Sequence, residues 1–62
     1  MSFIEFYEKS YGINRYEIWY RGRLNVVKCL TDIPNQLLNK TIKEFDFEED
    51  GGRICCAIEL VD

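Results

Sequence analysis

The sequence contains no histidine, a single proline and only three cysteines. Without histidine the usual general base near neutral pH is missing, and neither a Ser–His nor a Cys–His nucleophile can be assembled. Carboxylate pairs remain as acid–base candidates, but the acidic residues gather beside a turn signal, where water keeps them ordinary acids. We therefore expect no catalytic residues and no enzyme activity from this chain alone. Cys29, Cys55 and Cys56 are an odd number with two adjacent, which is not a disulfide framework. They have no Cys-x-x-Cys spacing and no histidine to join them, so neither a metal site nor any other cofactor is expected. Gly51–Gly52 has no following helix or lysine and reads as a turn, not a phosphate loop.

Other absences bound the setting. No secretory leader pattern opens the sequence, and unpaired thiols suit a reducing compartment, so a cytoplasmic location is expected. Every apolar run is far shorter than the roughly 20 residues that cross a bilayer, so no membrane role is expected. A chain of 62 residues allows one domain. Such a chain buries only about 60% of the surface its unfolded form exposes, leaving little material for a small-molecule pocket.

What is present is the composition of a folded protein, 47% apolar and 15% aromatic. Charge is unevenly spread along it. Residues 1–40 carry six basic and four acidic side chains, whereas residues 41–62 carry two basic and seven acidic. The net charge of −3 lacks the basic excess usual in a DNA-wrapping protein.

Ser2 with Glu5 three places on is the pattern of a capping box, and Phe3, Phe6, Tyr7 and Ser10 follow helical spacing towards Gly12, a natural stop. Arg15–Tyr20 and Leu24–Leu30 read as strands joined around Gly22. A type II′ turn at Gly22–Arg23 is the preferred register; it sets Trp19 opposite Val26, Ile18 opposite Val27 and Glu17 opposite Lys28. An Arg21–Gly22 turn would instead face Arg15 with Lys28, a like-charge pair. In the preferred register Tyr16, Ile18, Tyr20, Asn25, Val27 and Cys29 form an uncharged core face. Trp19 then lies among Arg15, Glu17, Arg21, Leu24, Val26 and Lys28.

Pro34, Leu37 and Leu38 suggest a short second helix ending near Asn39, although the periodicity would also let it run to Phe45. Thr41–Glu48 alternates as a strand and leads into a hairpin at Asp50–Gly51–Gly52, with Phe45, Phe47, Ile54, Cys56, Ile58 and Leu60 on one face. Cys56 and Cys29 are expected in the core, and Cys55 on the wet side with Glu44, Asp46 and Ala57. The fold expected is α+β: helix, hairpin, short helix, hairpin, with a largely antiparallel four-stranded sheet and the N-terminal helix on one face.

Function follows less directly. Arg15, Trp19, Arg21, Arg23, Leu24, Val26 and Lys28 form the candidate partner-binding set. Tryptophan and arginine are enriched at protein–protein hot spots, and basic residues interleaved with an aromatic also suit nucleic acid. The competing explanation is a soluble sheet face on which Trp19 packs across the hairpin, helped by a cation–π contact with a neighbouring arginine. Glu44, Asp46, Glu48, Glu49 and Asp50 form a candidate acidic patch, either a decoy for nucleic acid that occupies a DNA-handling protein or simply a charged edge that resists aggregation. The leading expectation is a protein-interaction or accessory module, with self-association among its options. Nucleic-acid binding through the basic hairpin is the alternative.

Overall fold

The computed structural model describes all residues from Met1 to Asp62. Its first helix, α1 (Phe3–Glu8), is started by the capping box: the Ser2 hydroxyl accepts from the Glu5 amide, and the Glu5 carboxylate accepts from the Ser2 amide and hydroxyl. These bonds hold the Glu5 carboxyl below its usual range. α1 stops earlier than the sequence suggests. Lys9 caps it, the Ser10 hydroxyl donates to the Phe6 carbonyl, and Gly12 serves the turn that follows.

Two hairpins supply the strands. β1 (Arg15–Tyr20) and β2 (Arg23–Val27) pair antiparallel, as do β3 (Thr41–Asp50) and β4 (Arg53–Val61). The sheet order is β2-β1-β4-β3, and the central pair, β1 with β4, is parallel. The sheet is therefore mixed. Each hairpin is antiparallel as its turn signal implies, but nothing local specifies how two hairpins meet. The chain leaves β2 through a 3-10 turn (Leu30–Asp32) and α2 (Asn35–Leu38) before entering β3. That crossover is long enough to permit a parallel join. The short form of the second helix is the one adopted.

The register of the first hairpin differs from the preferred one by two residues. Tyr20 pairs with Arg23, Trp19 with Leu24, Ile18 with Asn25 and Tyr16 with Val27, so Arg21 and Gly22 form the turn. Both have positive φ, 50° and 77°, the signature of a type I′ turn, which matches strand twist. The like-charge cost that argued against this register does not arise. β2 ends at Val27, before Lys28, and Arg15 turns to Glu17 at 3.4 Å. A shift of two preserves which face each side chain occupies, so the core face survives the correction.

α1 and α2 both pack on that face. The core joins Phe3 and Phe6 to Tyr16, Ile18, Val27, Ile33, Leu37, Cys56, Ile58 and Leu60. Phe3 meets Tyr16 edge-on at 5.7 Å, and the Tyr7 hydroxyl accepts from the Leu30 amide. Each such large apolar side chain contributes about 1.5–3 kcal/mol when fully buried.

One of the three cysteines lies elsewhere than expected, and a second is on its expected face but covered. Cys29 falls beyond the end of β2 and is exposed, with its sulfur 3.1 Å from the Thr31 hydroxyl and 3.2 Å from Asp32. Cys55 does sit on the face away from the helices, between Arg15 and Glu48, but it is buried because flanking side chains cover it. Cys56 is in the core; burial first, then Cys55 and Asp46, pushes its thiol up to about 11.

Candidate functional site

The side of the sheet without helices is a face of three rows, set by the strand register. Leu24, Trp19, Glu59 and Glu44 form one row; Val26, Glu17, Ala57 and Asp46 the next; Arg15, Cys55 and Glu48 the third. At the β2–β1 end the face is apolar: Trp19 is 45% exposed, Leu24 46% and Val26 53%. At the β3 end it is acidic. Between them Trp19 lines a recess of about 270 Å³ with Glu44, Asp46, Ala57 and Glu59. Glu44 and Glu59 stand opposite each other, and Lys43, at a bulge in β3, reaches Glu59 at 3.7 Å.

The candidate set from the sequence is thus only partly gathered. Trp19, Leu24 and Val26 meet on this face, with Arg15 and Lys28 at one end beside Cys55. Arg23 is on the helix side, in a recess with Tyr20, Pro34 and Leu37. Arg21, in the turn, is engaged by Asp62, which also accepts from Lys40 and the Tyr20 hydroxyl. These three donors, Lys40 foremost, hold the Asp62 carboxyl far below the usual carboxylate range. The cation–π partner of arginine is Tyr20, not Trp19: Arg21 sits 5.3 Å from that ring and Lys40 5.4 Å. Trp19 keeps carboxylates, not guanidinium groups, as its neighbours.

In the acidic patch, Glu44, Asp46, Glu48 and Asp50 share the open face, whereas Glu49 alternates to the helix side opposite Ile54. No group of three or more His, Cys, Asp or Glu side chains converges to hold a metal ion. No helix is long and apolar enough to cross a membrane.

A second apolar surface was not anticipated. Phe45 and Phe47 face the helices as expected but remain 49% and 51% exposed, because the helices pack mainly over β2, β1 and β4, and Phe6 is the helix ring that meets this pair. Phe6 lies 4.9 Å from Phe45, and Phe45 and Phe47 meet edge-on at 5.6 Å. A groove of about 440 Å³ runs along this border between Met1, Phe6, Ile42 and Phe45. The sequence marked Phe45 and Phe47 as inward-facing and offered Glu44, Asp46 and Glu48 as a charged edge, which β3 is, but it held no sign that the helices would leave both rings half uncovered.

Comparison with protein-family models, with curated proteins and with solved structures finds no match to this chain.

Proposed function

We propose that this chain is a small protein-binding module without catalysis of its own, acting in the cytoplasm, where its free thiols stay reduced. The observation that carries this is the uncovered stripe of Trp19, Leu24 and Val26 on the open sheet face. A small domain gains from covering such a patch, and aromatic anchors of this kind supply much of the energy in protein interfaces. The carboxylates beside Trp19 favour a partner with basic side chains over a second copy of the chain. They also repel phosphates, which weakens the nucleic-acid reading, and the basic residues that reading needs are divided between faces and ion pairs. The row of Glu44, Asp46 and Glu48 keeps one further version in view: the basic partner is a DNA-handling protein held away from its nucleic acid.

Affinity capture tests the proposal when run with the wild type beside Trp19→Ser/Leu24→Ser, after circular dichroism shows both folded. A partner retained by the wild type and lost by the double variant is expected. Equal capture by both, or no capture together with a strict monomer in light scattering, would contradict it.

A further inference from the structure

β3 has a free outer edge. Only its start is occupied: the Ile42 amide donates to the Met1 carbonyl at 2.9 Å, and Ser2 bridges Thr41 antiparallel. The irregularity between Ile42 and Glu44 then shifts the alternation by one residue. Beyond it, the Gly51–Gly52 loop pairs Asp50 with Arg53, so alternate residues Phe45, Phe47 and Glu49 direct their amides and carbonyls away from β4. The Phe47 amide is met by the carboxylate of its own neighbour Asp46, at 3.2 Å. A side chain thus stands where a neighbouring strand would place a carbonyl.

The two sides of this edge are chemically opposite. Glu44, Asp46 and Glu48 line it on the open face, while half-exposed Phe45 and Phe47 line it on the helix face. We infer that β3 accepts an extended segment of a partner protein as a fifth strand, with basic side chains alternating onto the open face and apolar ones onto the Phe45–Phe47 face. This rests on the protein-binding reading and names the chemistry of the partner. Unpaired backbone groups provide the affinity of strand addition, and alternate side chains provide its selectivity. The edge does not suit a second copy of itself. Two β3 strands paired antiparallel would bring their carboxylate rows together, an arrangement that guards sheets against edge-to-edge aggregation. Met1 and Ser2 already run in the position of a fifth strand, so the incoming segment continues their line.

The probe is a short peptide of alternating lysine and valine, added to the full chain and compared with a peptide of the same composition arranged in two blocks. Amide exchange at Phe45, Phe47 and Glu49 should slow about tenfold or more with the alternating peptide, since new strand bonds protect those groups. Binding should weaken with added salt. Glu49→Pro removes one outward amide at an edge position that tolerates proline, and should weaken binding about tenfold relative to Glu49→Ala. Should Glu49→Pro fail to fold, Asp46→Asn/Glu48→Gln tests the electrostatic half by the same loss. No binding, equal binding of the block peptide, or binding that leaves the three amides unprotected would overturn the inference. If Glu49→Pro keeps a natural partner that Trp19→Ser/Leu24→Ser loses, the protein-binding reading stands and strand addition falls.

Discussion

The two hairpins end in turns of the same kind yet stand in different surroundings. Both loops have two residues with positive φ, Arg21–Gly22 in one and Gly51–Gly52 in the other. In the first hairpin the inward side chains Tyr16, Ile18 and Val27 are buried under the helices. In the second, β4 is buried just as well through Cys56, Ile58 and Leu60, but β3 is left at the margin with two half-exposed phenylalanines. Turn chemistry governs pairing within a hairpin; what covers a strand depends on where the crossover lays the helices. The crossover here runs from β2 to the far edge of the sheet, and neither short helix is wide enough to shelter four strands.

The largest effect expected from this contrast is between phenylalanines. Phe3→Ala removes a fully buried ring and should cost about 3–5 kcal/mol, enough to unfold much of so small a chain. Phe47→Ala removes a ring half in water and should cost about 1 kcal/mol, half the value of full burial. Urea denaturation of both variants measures the difference; equal losses would mean that Phe47 on β3 is covered as well as Phe3 in the core.

The turns should respond next. Gly52 has a φ of 82° and open space where a Cβ would stand, so Gly52→Ala is strained by its backbone alone and should lose about 1–2 kcal/mol. Arg21 already carries that strain at a φ of 50°. Asparagine tolerates this conformation better, and Arg21→Asn should gain about 0.5 kcal/mol in the same assay. A loss there would show the bond to Asp62 to outweigh the strain.

The smallest effect concerns thiols and alters no stability. Alkylation of the native chain should modify Cys29 quickly and leave Cys55 and Cys56 protected, the latter also by its raised pKa of about 11. Mass spectrometry after partial reaction would show the order, and early labelling of Cys55 would show that its flanking side chains do not cover it.

Much of the fold was legible because it depends on local chemistry. The capping box at Ser2, the strand faces and the Gly51–Gly52 hairpin each follow from residues close together in sequence. The register around Gly22 was not, because a shift of two leaves every side chain on the same face and the hydrophobic pattern cannot detect it. The parallel join of β1 with β4 and the burial of Cys55 depend on residues forty positions apart, which alternation does not report. The candidate surface was legible in the same measure. Trp19, Leu24 and Val26 meet because the hairpin pattern requires it, whereas the carboxylates of Glu44 and Asp46 beside Trp19 come from a strand on the far side of the sheet.

The most direct test of the central claim uses the single tryptophan. Fluorescence of Trp19 in the isolated chain, recorded with and without acrylamide across protein concentrations, should be red-shifted and readily quenched, and should turn blue and protected when a captured partner is added. A blue, quencher-resistant signal from the isolated chain at every concentration would contradict the account, because it would make Trp19 a packed structural residue and the open face no binding surface.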